Sequence, residues 1–218
     1  MKEIEVKARV RAQLLAAHFA QSGEMLIPVT VSNRHIHLTH ADLETLFGTG
    51  AQMDFRGDLM QPGQFACNQT VTIEGPRGTL ARVRVLGPER PQTQVEISMT
   101  DARLLGIRAP IRMSGDLKGT PGIRIVGPQG ALDLASGVIV AMRHCHMSPG
   151  QAAVYGAKNG DRLTLHVEGV RPCEMRGFVV RVTEKSELEA HVDVDEANAC
   201  LIHNDILLAA RIEDAKHV

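Results

Sequence analysis

The sequence predicts a mainly β protein with short helices, in which an internal duplication gives two similar β-barrel domains behind an N-terminal helix. One observation is a short motif, Arg-His-x-His, that occurs at Arg34–His37 and again at Arg143–His146. The other is a succession of short β-branched runs separated by Gly-Pro or Pro-Gly pairs, a pattern typical of small barrels and sandwiches. The repeated motif favours two similar halves over one large domain.

The N-terminal segment, residues 1–22, is predicted to form an amphipathic helix. Apolar residues recur at roughly helical spacing from Val6 through Val10 and Leu14 to Ala17, with charged and polar residues between them. Such a stripe can pack on the adjacent barrel or against another subunit. It can also dock the chain onto a larger assembly, and the sequence leaves these alternatives open.

Strand patterns follow in each half of the chain. A run at 27–31 leads into the first histidine pair, and a run at 138–140 leads into the second. The segment between the halves is rich in turn residues, which indicates a domain junction. The predicted boundaries are 23–112 for the first barrel domain, 113–130 for the junction and 131–218 for the second barrel domain.

Helix-start signals follow both histidine pairs. Thr39 precedes Asp42 by three positions, and Ser148 is followed by Pro149 at the first helical position and by Gln151, which completes a capping-box pattern. The two copies are therefore expected to agree in local structure as well as in their histidines.

The composition argues against several classes of partner. Lys plus Arg (24) nearly equals Asp plus Glu (25), with no Trp and one Tyr, so neither a basic surface nor a stacking platform for nucleic acid is indicated. No apolar run has the length of a bilayer span and no signal peptide is evident, so we expect a soluble protein without a membrane partner. The four cysteines form no CxxC pair and suit reduced thiols in a cytosolic compartment.

The duplicated histidine pairs predict two metal sites. Two histidines one residue apart on a strand point to the same face and can bind one ion together. The strand-to-helix segments 95–102 and 190–197 end the two halves, and their alignment makes Glu96 and His191 corresponding third ligands. Three protein ligands with an open position are typical of catalytic zinc, so we expect two zinc ions per chain in a pocket that attracts an anion. The predicted ligand sets are His35, His37 and Glu96 for one ion and His144, His146 and His191 for the other.

Side chains near the predicted ligands are candidates for binding the anion. Arg90 lies in the turn before the Glu96 strand, and Gln94 shares a strand face with Glu96. Arginine is suited to bidentate recognition of phosphate. Arg84 shares a strand face with Arg82, and this face either contacts a polyanionic ligand or is solvated.

Three residues next to the ligands are expected to have other roles. Arg34 and Arg143 precede the histidines on the opposite strand face and are interpreted as structural residues or as supports of the ligands. Cys145 lies between two ligands, so strand alternation turns its side chain away from the metal.

Three extended segments occur in the order IPVTVSNRHIHLT, MSGDLKGTPGI and VIVAMRHCHMSP. On these segments the chain resembles the PduL-type phosphate propanoyltransferases, the phosphotransacylases associated with bacterial microcompartments. The resemblance runs from about residue 27 to near residue 212. One departure is Cys145, where an aliphatic residue would be more usual.

The resemblance implies two β-barrel-like domains around a dinuclear zinc site that binds coenzyme A. The implied reaction is the reversible conversion of acyl-CoA and phosphate into acyl phosphate and CoA, with propionyl as the acyl group, as in propanediol degradation. It also implies that Arg90 meets phosphate and that Ser32, Arg84 and Asn198 lie along the CoA path. The chemistry fits direct attack of phosphate on the thioester, because a metal ion can stabilise the tetrahedral oxyanion.

The resemblance also implies partners and a location. Residues 1–20 resemble the encapsulation helix that many members carry, which implies microcompartment shell or core proteins as partners. The expected location is the microcompartment lumen, or otherwise the cytoplasm, and a homo-oligomer is expected.

Three other functions stay open from the sequence. A bicupin-like oxygenase can hold iron with two histidines and a carboxylate, but no glutamate follows either histidine pair at cupin spacing. A dinuclear metallohydrolase would use metal-bound hydroxide in place of phosphate. A zinc-buffering or scaffold protein predicts closed coordination rather than three ligands per ion.

Overall fold

The computed structural model describes residues 3–204 and 206–214. Residues 1–2 of the predicted helix and residues 205 and 215–218 of the predicted second domain lie outside the described residues. Strands contain 39% of the residues and helices contain 23%, which confirms a mainly β fold. The helices are α1 (Glu3–Ser22), α2 (His40–Phe47), α3 (Met99–Leu105), α4 (Pro149–Tyr155) and α5 (Val194–Cys200). The strands are β1 (Met25–Ser32), β2 (His35–His37), β3 (Phe55–Asp58), β4 (Phe65–Glu74), β5 (Thr79–Gly87), β6 (Gln94–Glu96), β7 (Ile111–Arg112), β8 (Ile123–Val126), β9 (Ala131–Leu134), β10 (Val138–Ala141), β11 (His144–Met147), β12 (Arg162–Val167), β13 (Cys173–Val182), β14 (Glu189–Asp193) and β15 (Ile206–Ile212).

The chain divides into two compact units that interleave along the sequence. Among the described residues, the barrel unit consists of 3–32, 60–62 and 142–214, and the sheet unit consists of 33–59 and 63–141. The chain therefore passes from one unit to the other directly before each histidine pair.

The strands that precede the histidine pairs account for this interleaving. β1 leads into the first pair but hydrogen-bonds β14 and β15 in the barrel unit, whereas β10 leads into the second pair but bonds β6 and β7 in the sheet unit. β8, inside the predicted junction, pairs with β4. The units thus differ from the consecutive boundaries predicted at 23–112, 113–130 and 131–218. Residue patterning predicts that a strand forms but does not determine which backbone it pairs with.

The barrel unit is a closed barrel with the strand order β1-β14-β11-β13-β12-β15. β11 carries the second histidine pair and runs parallel to β13 and antiparallel to β14. Fully buried apolar side chains such as Ile27, Leu163 and Phe178 fill its core. Cys145 and Met147 of β11 are part of this core, which fixes the strand face that carries His144 and His146.

The sheet unit is a nine-stranded sheet with the order β7-β10-β6-β2-β5-β4-β8-β9, and β3 pairs with β4. It curls into a half-barrel rather than closing. β2 carries the first histidine pair and runs parallel to β5 and antiparallel to β6. Because β2 and β11 have neighbours of the same orientation, the duplication extends to the strands around each histidine pair.

The N-terminal helix α1 packs on the barrel core through Ala12 and Leu15. Its apolar residues Val6, Val10 and Leu14 are 38%, 47% and 66% exposed. The helix therefore packs on the barrel, but through a different face from the predicted stripe of Val6, Val10, Leu14 and Ala17, which is exposed. Docking onto a larger assembly stays a prediction. Neither α1 nor another helix in the described part of the chain has the length and apolar character needed to cross a membrane.

The helix starts after the histidine pairs form as predicted. The Thr39 hydroxyl accepts a 3.1 Å hydrogen bond from the Asp42 backbone N–H at the start of α2. Ser148 and Gln151 form a capping box at the start of α4. Each cap satisfies otherwise unpaired backbone N–H groups and so fixes where the ligand-bearing strand ends.

Candidate metal centres and active site

The sheet unit brings its three predicted ligands together. In the antiparallel pairing of β2 and β6, His35 lies opposite Glu96 and His37 lies opposite Gln94. All four residues are buried. His35 Nε2 is 3.5 Å from Glu96 Oε2, and the candidate ligand atoms of the three residues lie within 4.8 Å of one another. These distances suit donors that surround one small ion.

The barrel unit assembles the second predicted set in the same way. His144 on β11 lies opposite His191 on β14, and His146 projects from the same face as His144. The Nε2 atoms of His144 and His146 are 3.1 Å apart, and the rings of His144 and His191 stack with centroids 5.0 Å apart. The three candidate ligand atoms lie within 4.8 Å of one another. The correspondence of Glu96 with His191 is thus reproduced in the strand register.

Backbone carbonyls orient the first histidine of each pair. His35 Nδ1 donates a 2.8 Å hydrogen bond to the Asn33 carbonyl, and His144 Nδ1 donates one of the same length to the Met142 carbonyl. A proton held on Nδ1 leaves the Nε2 lone pair available for a metal ion. The same residue spacing produces the same tautomer in both units.

Two further candidate ligands, His37 and His191, have hydrogen-bond partners at Nδ1. His37 Nδ1 lies 3.2 Å from the Leu86 carbonyl oxygen, which can accept its proton. His191 Nδ1 lies 3.2 Å from the hydroxyl oxygen of Ser32. Ser32, a predicted substrate-binding residue, is therefore positioned beside a candidate ligand by the exchange of β1 into the barrel.

Charges within the sheet-unit cluster favour metal binding. Burial alone would raise the pKa of Glu96, but the charge of His35 and its hydrogen bond lower it below the usual range. Burial lowers the pKa of His37 well below its ordinary value, and the charges of His35 and Arg90 act in the same direction. Burial also opposes protonation of His35, yet Glu96 outweighs it and raises the pKa of His35. A metal ion would therefore displace the proton that His35 carries and meet the ionised carboxylate of Glu96.

The barrel-unit cluster is also prepared for a cation. Burial, together with the charges of His144 and His191, lowers the pKa of His146 to about 2. Burial alone would raise the pKa of Glu189, but its hydrogen bond and charge interaction with His191 lower it. The neutral imidazole of His146 and the ionised carboxylate of Glu189 thus lie on neighbouring strands of one largely buried cluster.

Glu189 was missed by the sequence reasoning. It lies opposite His146 in the register, is 1% exposed, and its Oε2 is 3.0 Å from His191 Nε2. It accepts hydrogen bonds from the Thr30 hydroxyl at 2.6 Å and from Gln61 Nε2 at 3.0 Å. The available signal was its position two residues before His191, which matches the position of Gln94 before Glu96.

The arginines before the histidine pairs are structural, as interpreted from their strand face. Arg34 donates to both carboxylate oxygens of Asp101, at 2.8 and 2.7 Å, and Arg143 Nε donates to Glu196 at 2.7 Å. Asp101 and Glu196 are the third residues of α3 and α5, where each completes a capping box. In each unit an arginine therefore ties the ligand-bearing strand to the helix that follows the third ligand.

Arg90 and Gln94 meet at Ser114. Arg90 Nη1 and Gln94 Nε2 each donate to the Ser114 hydroxyl oxygen over 2.9 Å. Gln94 also donates to Glu96 and accepts from the Gly115 N–H at 2.8 Å. Ser114 and Gly115 come from the segment predicted as a domain junction, which instead supplies part of the site.

For the other two predicted substrate residues, Arg84 and Asn198, the structure gives no contact with a candidate ligand. Arg84 Nη1 donates to the carbonyl oxygens of Cys67 and Asn68 on β4, at 3.0 and 2.8 Å. Asn198 lies exposed on α5, the helix after the His191 strand. Their roles in binding CoA stay predictions.

The fold and these clusters define a two-unit β protein with a candidate three-ligand metal centre in each unit. The family model for phosphate propanoyltransferase matches residues 28–203, which cover the exchanged strands, both clusters and Arg90. The chain belongs to this family and is a phosphate acyltransferase, with acyl-CoA and phosphate as substrates. Family membership sets aside the oxygenase, hydrolase and zinc-buffering alternatives.

Individual relatives support the assignment over most of the chain. The phosphate propanoyltransferase of Rhodopseudomonas palustris is 51% identical over 179 residues, which are 82% of this chain and 79% of the relative. That of Rhodobacter capsulatus is 46% identical over 205 residues, or 93% of this chain and 95% of the relative. That of Thermotoga maritima is 53% identical over 183 residues, or 84% and 87%.

Proposed function

We propose that this enzyme transfers a propionyl group between CoA and phosphate at a dinuclear zinc site, with one zinc ion in each ligand cluster. The observation that carries the proposal is the equivalent register of the two clusters, in which a His-x-His pair meets a third ligand on the neighbouring antiparallel strand. Propionyl is proposed because the relatives are named for it.

The donor atoms suit zinc. Imidazole nitrogens and a carboxylate oxygen are common zinc ligands, and three protein ligands leave a position for substrate. When bound, zinc would polarise the thioester carbonyl and stabilise the departing thiolate. The hydrogen bonds from Nδ1 of His35 and His144 hold these imidazoles in the orientation that such a role needs.

Arg90 is proposed to bind and orient the phosphate. Its guanidinium bonds Ser114 and influences the pKa of His35 and His37, so it lies beside the sheet-unit cluster. A phosphate oxygen held there would attack the thioester carbon directly, forming the acyl phosphate as the carbon–sulfur bond breaks and CoA leaves.

Direct attack by phosphate is supported by the properties of two cysteines, Cys145 and Cys67, which make them poor nucleophiles. Cys145 lies between two ligand histidines and is fully buried, and burial raises the pKa of its thiol. Cys67, whose carbonyl accepts from Arg84, is also fully buried, and burial raises its thiol pKa to about 11. Neither thiol is suited to form an acyl-enzyme intermediate.

The remaining proposals concern CoA and location. Ser32, Arg84 and Asn198 are proposed to line the path of CoA, with Arg84 near its phosphates. The exposed residues Val6 and Val10 on α1 support docking to microcompartment shell or core proteins. The enzyme is proposed to act as a homo-oligomer in the microcompartment lumen, or otherwise in the cytoplasm.

The test is thiol release from propionyl-CoA by the zinc-loaded enzyme, with and without inorganic phosphate, beside a chelated sample. Release that requires both phosphate and metal supports the proposal, whereas phosphate-dependent release by fully chelated enzyme would remove zinc from it. Comparing acetyl-, propionyl- and butyryl-CoA by kcat/KM then tests the acyl preference.

Metal content gives an independent test. Elemental analysis is expected to find about two zinc ions per chain. His35→Ala and His144→Ala should each lose one ion, while His166→Ala on β12 should keep both. Equal loss from the control variant would contradict the assignment of the clusters.

A further inference from the structure

Two thiols that have no assigned role in the reaction lie close together in the barrel unit. The Sγ atoms of Cys173 and Cys200 are 2.9 Å apart. A disulfide bond is about 2.05 Å long, so the sulfurs need to approach by less than about 1 Å. Cys173 is the first residue of β13 and Cys200 is the last residue of α5.

The surroundings of this pair differ from those of the other cysteines. Cys173 and Cys200 are half-buried, whereas Cys67 and Cys145 are fully buried. A small oxidant can therefore reach the pair. Burial and the neighbouring Cys173 raise the pKa of Cys200 to about 11, while the charge of Arg171 acts in the opposite direction.

We propose that Cys173 and Cys200 are a site of reversible oxidation, at which a low-molecular-weight disulfide converts the two thiols into an intramolecular disulfide. Because the raised pKa disfavours the Cys200 thiolate, the thiolate of Cys173 attacks the reagent and releases its first thiol, which leaves a mixed disulfide on Cys173. The second thiolate then displaces the other reagent thiol and closes the protein disulfide. The protein loses two hydrogen atoms, and the reagent gains them as two thiols.

The crosslink would join β13 to α5, two elements that adjoin the strands of the barrel-unit cluster. β13 pairs with β11, which carries His144 and His146, and α5 directly follows β14, which carries His191. Constraining the chain between residues 173 and 200 reduces the entropy of the unfolded state. We expect the oxidised protein to have a Tm about 5 to 10 °C above that of the reduced protein.

The test exposes the purified full-length protein to oxidised glutathione and then to dithiothreitol. Remaining thiols are alkylated under denaturing conditions, and peptides are mapped by mass spectrometry. We expect two of the four cysteines to escape alkylation. A peptide joining Cys173 to Cys200 should appear and disappear again after reduction.

Cys173→Ser and Cys200→Ser are matched controls, because each leaves one thiol of the pair in place. Reduced variants with a Tm close to that of the reduced wild type show that the fold is kept. Both variants should then lack the crosslink and the oxidation-dependent rise in Tm. Four alkylated cysteines after oxidation by glutathione and by diamide, a different crosslink, or only glutathione adducts would each overturn the proposal.

Discussion

Gln94 and Glu189 occupy equivalent register positions, Gln94 opposite His37 on β2 and Glu189 opposite His146 on β11. Two residues further on, Glu96 corresponds to His191. Each cluster therefore contains one buried carboxylate, but it is a candidate ligand in the sheet unit and a neighbour of the ligand His191 in the barrel unit. A dication in either place would meet one negative charge, which reduces the free energy needed to bury it.

Replacing Glu189 should weaken metal binding in the barrel unit. Glu189→Gln keeps the shape but removes the charge beside His191, so zinc affinity there should fall about 10- to 100-fold. Competition with a chromogenic chelator measures this, with Glu184→Gln, an exposed change of the same charge, as the control. Unchanged affinity in Glu189→Gln would show that the carboxylate does not contribute.

Replacing Arg90 should impair the use of phosphate. Arg90→Ala removes the guanidinium that bonds Ser114, and kcat/KM for phosphate should fall about 10- to 100-fold, mainly through KM. Arg90→Lys keeps the positive charge but not the forked arrangement of N–H donors, so its kcat/KM for phosphate should lie between those of the wild type and Arg90→Ala. Steady-state kinetics at varied phosphate measures this, with the exposed Arg82→Ala as control. An Arg90→Ala enzyme with wild-type turnover at low phosphate would refute the role.

Breaking the ion pair of Arg34 and Asp101 should destabilise the sheet unit. The Asp101 side chain is 3% exposed and also caps α3, so Asp101→Ala should lower the free energy of unfolding by about 2 to 3 kcal/mol. The exposed ion pair of Arg124 and Asp133 is a matched control, since Asp133→Ala should lower the free energy of unfolding by less than about 1 kcal/mol. Urea unfolding of both variants measures the difference, and equal values would contradict the prediction.

The metal-free protein should lose stability as the pH falls below 6.5. The pKa of His146 is lowered from 6.5 to about 2 in the folded state, so below pH 6.5 the unfolded chain binds a proton that the folded chain does not. His146 therefore contributes a fall of up to about 1.4 kcal/mol per pH unit. His37 acts in the same direction, whereas His35, whose pKa is raised, changes stability only above pH 6.5, where its stabilising contribution is lost as the pH rises.

Chelated protein unfolded by urea between pH 7.5 and 5 measures this dependence. His146→Gln should show a slope smaller by up to about 1.4 kcal/mol per pH unit, because one unequal protonation is removed. An unchanged slope would mean that His146 takes up a proton in the folded state.

Local patterns made the two candidate clusters predictable. A His-x-His pair on a strand shares a face whatever the strand pairs with, so His35, His37, His144 and His146 follow from period-two alternation. The third ligands followed from aligning the two halves, and the helix starts from caps that span three residues. Glu189 lies in the same alignment, yet a glutamate where the other half has glutamine gave no reason to expect contact with His191.

The sequence by itself determined the mainly β character, the duplication, the two candidate ligand sets and the family. Only the tertiary structure decided that β1 and β10 are exchanged between the units, that Arg34 reaches Asp101, and that Cys173 meets Cys200. Secondary structure and strand faces depend on residues a few positions apart. These other contacts join residues far apart in sequence, and they depend on which strands share backbone hydrogen bonds and in which register.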